Sequence, residues 1–228
     1  MKISVRALDF VADGDIVGLG SGRAATDFLH SLGERVRSGF KMQGVPTSDR
    51  TAEISRELGI PIITLDEALE TKGFLDVAVD GADEVDPQLE LIKGYGGAHV
   101  REKVVEAPAK KLVILVGDEK IVSVLGERGK LPVEVVQFAL SLCQRRLTEM
   151  ECNPQLRMSG SRPYVTDNGN YILDCGVQAI PDPCGLDREI LAIPGVVGTG
   201  IFVGMADVVL VQRGEEIEEM NRVGAATR

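Results

Sequence analysis

The chain has 228 residues, 44% of them hydrophobic, which is enough to build one large domain or a main domain with a smaller companion. Its formal net charge of −10 argues against nucleic acid as a general partner, because little would neutralise a phosphate backbone. No apolar run is long enough to cross a bilayer, and the opening sequence MKISVRALDF lacks the apolar centre of a signal peptide. We therefore expect no membrane partner.

The cysteines and histidines do not suggest a metal site. The two histidines are far apart in sequence, and no C-x-x-C pair occurs among the four cysteines, Cys143, Cys152, Cys175 and Cys184. Reduced, structural thiols are typical of a cytoplasmic protein. We expect a cytoplasmic protein without a metal.

The first predicted strand leads into a glycine-rich turn. Residues 15–22 predict a short buried strand entering this turn, and apolar residues at helical spacing predict a helix over 24–37. Such a layout presents backbone N–H groups to an anion, although a turn that needs glycine only for packing also fits. The turn lacks the third glycine of a dinucleotide fingerprint, so we expect a phosphate rather than a nicotinamide cofactor.

Alternating strands and helices follow as far as residue 116. The pattern predicts a strand over 42–45, a helix over 49–58 capped by Thr47 or Ser48, a strand over 61–65, a short helix over 66–70, a strand over 74–79, a helix ending near 106, and a strand over 111–116. This alternation predicts an α/β fold with a doubly wound, Rossmann-like parallel sheet.

The composition then changes, which indicates a smaller inserted α+β domain. We expect a polar link over 126–132, a helix over 133–150, a hairpin turn at 167–170 before a strand over 171–174, a helix over 186–192, and strands over 200–203 and 207–211. The predicted division is therefore a Rossmann-like catalytic domain over 1–126 plus 200–228 and a small α+β domain over 127–199.

The stretch from 77 to 103 carries the residues best suited to chemistry. Asp80 and Asp83 follow a buried strand across a Gly-Ala turn, Lys93 begins a glycine-rich turn, and Glu102 lies near a helix start. Carboxylates after a strand end, together with a cation and a further carboxylate, can carry out acid–base catalysis at a crevice. Turn formation or helix capping would explain the aspartates equally well if they stood alone.

This stretch resembles the signature of type A ribose-5-phosphate isomerase, in which D-G-A-D-E is followed by K-G-G-G-A and R-E-K. The resemblance extends through G-V-P-T-S, L-P-V-E-V, V-T-D-N-G-N and M-A-D-V-V-L-V, so it covers both predicted domains. It implies an aldose–ketose isomerase of the non-oxidative pentose phosphate pathway. Such an enzyme interconverts D-ribose 5-phosphate and D-ribulose 5-phosphate through an enediolate, without a cofactor, as a homodimer or dimer of dimers.

The resemblance also implies roles for individual residues. Glu102 matches the base, Lys93 the cation beside the developing oxyanion, and Asp80 and Asp83 the carboxylates that bond sugar hydroxyls, with Asp80 helping to open the ring. The implied substrate-binding positions are Ser21, Gly22, Arg23, Ala24, Asp80, Gly81, Ala82, Asp83, Lys93, Gly94, Tyr95, Gly96 and Lys120.

Three positions depart from the family pattern. Arg23 and Ala24 stand where the family's G-T-G-S-T turn has hydroxyl residues, and Tyr95 replaces a glycine. A lysine often found near the N-terminus of relatives has no equivalent before Leu8. We expect Tyr95 at negative φ, with its ring over the crevice mouth beside Lys93.

Two other classes of protein remain open from the residues. One is a non-catalytic phosphosugar sensor on the same fold, although a sensor needs no base. The other is an acyl or CoA transferase with a nucleophilic glutamate. Incubation with ribose 5-phosphate alone distinguishes them, because an isomerase needs no acyl donor and a sensor forms no ketose.

Overall fold

The computed structural model describes residues 2–222, which divide into two compact units. The first comprises the chain up to Ala82, Arg101–Lys120 and the chain from Met205 onwards, and the second comprises Asp83–Val100 and Ile121–Gly204. Residue 1 and residues 223–228, the two ends of the predicted catalytic domain, lie outside the described part.

The helices in chain order are α1 (Ile3–Arg6), α2 (Arg23–Arg37), α3 (Asp49–Glu57), α4 (Leu65–Lys72), α5 (His99–Glu106), α6 (Leu140–Glu149) and α7 (Pro183–Leu191). Short 3₁₀ turns occupy Ala7–Phe10, Asp118–Lys120 and Gln137–Ala139. The strands are β1 (Asp15–Leu19), β2 (Met42–Pro46), β3 (Val77–Gly81), β4 (Glu84–Val85), β5 (Leu91–Ile92), β6 (Leu112–Gly117), β7 (Lys130–Val135), β8 (Pro154–Leu156), β9 (Met158–Ser159), β10 (Arg162–Pro163), β11 (Tyr171–Gly176), β12 (Val196–Thr199), β13 (Ile201–Phe202), β14 (Val208–Arg213) and β15 (Glu216–Asn221).

The first unit is built on a six-stranded sheet with the order β15-β14-β6-β3-β1-β2. Neighbouring strands run parallel except β15, which pairs antiparallel with β14. The chain adds β2 on one side of β1 and adds β3, β6 and β14 on the other, so the strand order reverses between β1 and β3. In doubly wound sheets, ligands bind outside the carboxyl ends of the strands at this reversal. The predicted doubly wound fold is confirmed.

Helices of this unit form where apolar spacing and capping residues favour them. Helix α2 places three side chains in the core beneath the sheet, Phe28, Leu29 and Leu32. Ser48 caps α3 by accepting a hydrogen bond of 3.0 Å from the Thr51 N–H, which confirms one of the two caps predicted there. Among residues 2–222, no helix combines the length and the apolar character needed to span a bilayer.

The second unit has its own core and smaller antiparallel sheets. These have the orders β12-β7-β11-β8 and β13-β5-β4, and β9 pairs with β10. The core includes Leu131, Val133 and Val135 of β7, together with Leu147 of α6 and Ile190 of α7. This mixture of helices and antiparallel strands is the α+β class predicted from the sequence.

Two predicted elements are wrong. Residues 61–65 form an isolated bridge, between Gly44 and Ile62, instead of a strand. The helix predicted over 133–150 begins at Leu140, because the preceding apolar residues belong to β7, between β11 and β12. Apolar spacing in this short run fits a helix as well as a strand, and the distant pairing partners decide between them.

The structural division also differs from the predicted domain boundaries. Residues 83–100 belong to the second unit because β5 pairs with β13, with Ile92 opposite Ile201. In addition, the carboxylate of Glu84 accepts hydrogen bonds from the N–H groups of Gly126, at 2.6 Å, and Arg128, at 2.9 Å. These long-range bonds attach the stretch that carries Asp83 and Lys93 to the second unit.

Substitutions at Gly126 and Gly129, in the segment that bonds to Glu84, test how closely this segment packs against residues 177 and 178. Gly126 lies at φ +91°, and a Cβ there would lie 2.1 Å from the carbonyl oxygen of Gln178. Gly129 lies at φ +76°, but the nearest atom to an added Cβ, the Val177 carbonyl oxygen, is 3.8 Å away. We expect Gly126→Ala to lower the free energy of unfolding by about 2–4 kcal/mol, because strain and a clash combine. Gly129→Ala should cost only about 1 kcal/mol of strain.

Urea unfolding of both variants measures this difference. Equal losses for the two substitutions would contradict the close approach at Gly126.

Candidate active site

The carboxylate of Asp80 is fixed against the glycine-rich turn that follows β1. Asp80 is a buried residue of β3, and its Oδ1 accepts hydrogen bonds from the N–H groups of Ser21, at 2.9 Å, and Gly81, at 2.7 Å. This approach requires glycine at position 20, since a Cβ there would lie 2.2 Å from Cγ and Oδ1 of Asp80. The turn and the carboxylate therefore meet where the strand order reverses.

The hydroxyl of Ser21 belongs to a cluster of hydroxyl groups behind the turn. Its Oγ lies 2.8 Å from Oγ1 of Thr47 and donates to Oγ of Ser48 at 2.9 Å. Thr51 completes the cluster and donates from Oγ1 to the carbonyl oxygen of Gly20 at 3.0 Å. Both the N–H and the hydroxyl of Ser21 thus have partners inside the unit. Thr47, the alternative cap predicted from the sequence, does not cap α3, and its hydroxyl instead contacts Ser21 and donates to the carbonyl oxygen of Leu19 at 3.0 Å.

The start of α2 has features of an anion-binding site. Gly22, at φ +88°, precedes the first helical residue and has no side chain with which to cap the helix. Arg23 is exposed and Ala24 is half-buried at this end. Together with Lys2 they line a cavity of about 770 Å³, which also has carboxylates in its wall. The expectation that no lysine before Leu8 is available here is therefore wrong, since Lys2 lies in this lining. The N-terminus of α2 and the Arg23 side chain beside it favour an anion at the turn, whereas Asp27, Glu119 and Glu215 make the rest of the cavity wall acidic.

Glu102 and Lys120 lie near the start and at the end of the segment Arg101–Lys120 of the first unit. Glu102 is in the first turn of α5 and only 5% exposed. Helix α5 packs closely on β1, since a Cβ on Gly18 would lie 3.2 Å from Cγ1 of Val105. Lys120 ends the 3₁₀ turn after β6 and is half-buried, and Ala82 is the last residue of the unit's first segment.

In the second unit, Lys93 begins the glycine-rich turn and is only 2% exposed. Its N–H donates to the carbonyl oxygen of Gly200 at 2.8 Å, and its ammonium nitrogen lies 5.4 Å from the centroid of the Phe202 ring. The turn reverses the chain by placing Gly94 at φ +103° and Gly97 at φ +89°. The lysine side chain is therefore held among structured groups of its own unit.

Tyr95 confirms the prediction for its backbone and contradicts the prediction for its ring. Its φ is negative, because Gly94 and Gly97 supply the positive values, and its N–H donates to Oδ2 of Asp83 at 2.9 Å. The ring packs on the core of the second unit, and the hydroxyl donates to the carbonyl oxygen of Lys130 at 3.2 Å. The placement over a crevice mouth is therefore wrong, since the apolar ring finds a core to pack against. Burial, helped by nearby carboxylates, raises the pKa of Tyr95.

One residue that the sequence does not indicate, Arg157, contacts the same turn. The guanidinium of Arg157 donates to the carbonyl oxygens of Gly94, at 3.0 Å, and Tyr95, at 3.1 Å, and forms an ion pair with Asp174. Within the turn, Gly94 is buried and Gly96 is exposed. The local sequence around Arg157 shows only a polar residue between short strands, so nothing in it indicates this contact.

The described residues contain no cluster of three or more His, Cys, Asp or Glu side chains that could hold a metal ion. The four cysteines are free thiols, and burial raises the pKa of three of them, Cys143, Cys152 and Cys175.

A doubly wound sheet with a carboxylate fixed at the reversal of strand order is typical of α/β proteins that bind small ligands at strand ends. Comparison with known proteins identifies the family. Residues 43–216 match the family model described as ribose 5-phosphate isomerase A (phosphoriboisomerase A). The chain is 49% identical over 227 residues to ribose-5-phosphate isomerase A of Roseiflexus sp. (strain RS-1), covering 98% of this chain and 96% of the relative.

Solved structures agree with this assignment. Ribose 5-phosphate isomerase A from Methanocaldococcus jannaschii superposes with a TM-score of 0.91 at 39% identity, over 96% of each chain. A D-ribose-5-phosphate isomerase in complex with phospho-erythronic acid gives a TM-score of 0.91 at 38% identity, also over 96% of each chain. The chain therefore belongs to the ribose 5-phosphate isomerase A family, and the resemblance found in its motifs is confirmed.

The raised pKa of Tyr95 predicts a pH-dependent stability. The folded state keeps the phenolic proton above the ordinary pKa of 10.0, where the unfolded chain loses it, so stability from this group is complete below about pH 10 and declines as the pH rises further. We expect the free energy of unfolding to fall more steeply between about pH 9 and pH 11 for the unmodified protein than for Tyr95→Phe. Urea unfolding across this range measures both slopes, and parallel curves would contradict the prediction.

Proposed function

We propose that the chain interconverts D-ribose 5-phosphate and D-ribulose 5-phosphate through an enediolate, as in the non-oxidative pentose phosphate pathway. The observation that carries this proposal is membership of the isomerase family. The presence of Asp80, Asp83, Lys93 and Glu102 in the stretch that resembles the family signature supports it. The solved relative in complex with phospho-erythronic acid, a phosphorylated sugar acid, supports a phosphorylated sugar as substrate.

Glu102 is the proposed base. It takes the proton from C2 of the open-chain aldose, the electron pair forms the C1–C2 double bond, and the negative charge develops on O1. One carboxylate can serve both carbons, so Glu102 then returns a proton to C1. The hydroxyl proton of O2 passes to O1 in the same conversion, which leaves C2 as the ketone carbon. Its burial in the first turn of α5 supports the role of Glu102, because one carboxylate can serve both carbons only if it is held in a fixed position.

Lys93, Asp80 and Asp83 are the proposed partners of this base. An ammonium in a site with little water stabilises a developing oxyanion much more strongly than one in solution, and the burial of Lys93 supports such a setting. Asp80 and Asp83 accept hydrogen bonds from sugar hydroxyls, and Asp80 assists ring opening. The two N–H groups that bond Oδ1 of Asp80 support a fixed carboxylate rather than a mobile one.

The proposed phosphate site is the turn before α2. Gly22, Arg23 and Ala24 offer backbone N–H groups and one guanidinium, and Lys120 is a further proposed substrate contact. The charge of Arg23 takes over from the hydroxyl groups that the family has in this turn. Gly81, Ala82, Gly94, Tyr95 and Gly96 are proposed to shape the sugar site through their backbones, since Tyr95 packs its ring elsewhere.

The proposal includes the setting in which the enzyme works. It acts in the cytoplasm, as a homodimer or dimer of dimers, without a cofactor, metal, nucleic acid or membrane partner. The free cysteines fit a reducing compartment, and the net charge of −10 disfavours a nucleic-acid partner. Sedimentation equilibrium of the purified protein tests the assembly, and a monomer at micromolar concentration would contradict it.

The direct test is incubation with ribose 5-phosphate alone after treatment with a chelator. Formation of ribulose 5-phosphate without an acyl donor, nucleotide or added metal supports the isomerase. Binding without ketose would indicate a sensor, and a requirement for an acyl-CoA would indicate a transferase.

Substitution of Glu102 tests the proposed base. Glu102→Gln keeps the shape and hydrogen-bonding capacity of the side chain but removes the base, so we expect turnover to drop by roughly 10²- to 10⁴-fold with the fold intact. Glu53→Gln, on an exposed glutamate of α3, is the control and should keep normal turnover. Near-normal turnover of folded Glu102→Gln would exclude this assignment.

Arg23 tests the proposed phosphate site. We expect Arg23→Ala to raise the Michaelis constant for ribose 5-phosphate by about threefold to tenfold with little change in kcat, because an exposed guanidinium contributes modestly to phosphate binding. Steady-state kinetics at low and high salt measure the effect, which should be smaller at high salt. An unchanged Michaelis constant at low salt would show that Arg23 does not contact the substrate.

A further inference from the structure

A single guanidinium joins the glycine-rich turn after Lys93 to the sheet of the second unit. Arg157 lies between β8 and β9, and its side chain is 11% exposed. Its Nε and Nη2 donate to the two carboxylate oxygens of Asp174 on β11, with the Nε bond at 2.9 Å. This two-point pairing fixes the plane of the guanidinium.

The remaining nitrogen of the same group reaches the turn. Nη1 of Arg157 donates to the carbonyl oxygens of Gly94, at 3.0 Å, and Tyr95, at 3.1 Å. Because Asp174 fixes the guanidinium plane, the direction of Nη1 is fixed, and so are the two carbonyl groups it bonds. A lysine could neutralise Asp174 but could not present donors in this fork.

These bonds complete the anchoring of the backbone around Lys93. The N–H of Lys93 donates to Gly200, and the N–H of Tyr95 donates to Asp83. Arg157 adds bonds to the carbonyl oxygens of Gly94 and Tyr95, the two residues that follow the lysine. The peptide unit before Lys93 and the peptide units after Gly94 and after Tyr95 are thus bonded to groups outside these three residues.

We propose that Arg157 is a positioning residue for Lys93, with Asp174 orienting its guanidinium. This inference rests on the proposed function, since it concerns the lysine that stabilises the oxyanion. Arg157 does not touch the substrate in this account. It acts by holding the turn so that the ammonium of Lys93 remains where charge develops, and a displacement of about 1 Å in such a group can lower turnover by about 10²-fold.

The test compares Arg157→Lys with Arg162→Lys. Arg157→Lys keeps the charge beside Asp174 and loses the fork, whereas Arg162 is an exposed arginine of β10 and serves as a matched control. We expect Arg157→Lys to lower kcat by about tenfold or more, with the Michaelis constant changed less than about threefold, because the turn acts mainly in the transition state. The control should match the unmodified enzyme.

Two further measurements separate positioning from a general loss of structure. Amide hydrogen exchange in peptides covering 93–97 should be faster in Arg157→Lys, with the strands β7 and β11 protected as before. Guanidinium at millimolar concentration should raise the kcat of folded Arg157→Ala, and methylammonium should not. The proposal is overturned if folded Arg157→Lys has normal kcat, if exchange rises throughout the unit, or if guanidinium fails to restore kcat.

Failure of this inference is distinguishable from failure of the proposed function. If the unmodified protein forms no ketose, the isomerase proposal fails, and hydrogen exchange still reports whether Arg157 holds the turn. If the unmodified protein is active and Arg157→Lys is equally active, only the inference about Arg157 fails.

Discussion

The organisation of the first unit depends on the close approach of Asp80 to the turn after β1. The approach exists because Gly20 has no Cβ, which allows the carboxylate to accept the N–H of Ser21. Gly18, two residues earlier on the same strand, allows α5 to pack closely on the sheet, and α5 carries Glu102. Gly18 and Gly20 thus make room for α5, which carries Glu102, and for the side chain of Asp80 on β3. A parallel sheet supplies the rest, since it aligns the carboxyl ends of β1 and β3.

The second unit holds the side chain of Lys93 in a buried position with a defined orientation. Burial of an ammonium is costly unless polar or aromatic groups surround it. Lys93 lies near the face of the Phe202 ring, and Gly94 provides the positive φ that turns the chain away after it. The ring of Tyr95 packs the turn against the core. The Arg157 side chain holds the turn by hydrogen bonds to two of its backbone carbonyl oxygens. The position of the lysine therefore depends on residues that hold the turn after it, in addition to the ring beside its ammonium group.

The sequence predicted the fold class and the family because both follow from local patterns. Alternating apolar strands and helices predict a doubly wound sheet, and the motif around Asp80 and Glu102 occurs within one stretch of chain. The elements that were wrong depend on partners far away in sequence. The sequence of β7 fits a helix as well as a strand, and its pairing with the distant strands β11 and β12 decides for the strand. The core that the Tyr95 ring packs against is likewise formed by residues distant in sequence, so it could not be deduced from the neighbours of Tyr95. Arg157 was missed because its hydrogen bonds reach carbonyl oxygens more than 60 residues away, and no local sequence pattern indicates such a contact.

The central claim is that a carboxylate of this chain moves a proton between C1 and C2 of a pentose 5-phosphate. The most direct measurement is the reaction of ribose 5-phosphate in deuterium oxide, followed by proton NMR of the ketose product. An enediolate formed by a carboxylate base predicts some solvent deuterium at C1 of ribulose 5-phosphate, because a proton held on the proposed base, Glu102, would exchange with solvent in a fraction of turnovers. Ketose that forms at full rate and retains all of the substrate hydrogen at C1 would contradict the account, as would the absence of ketose.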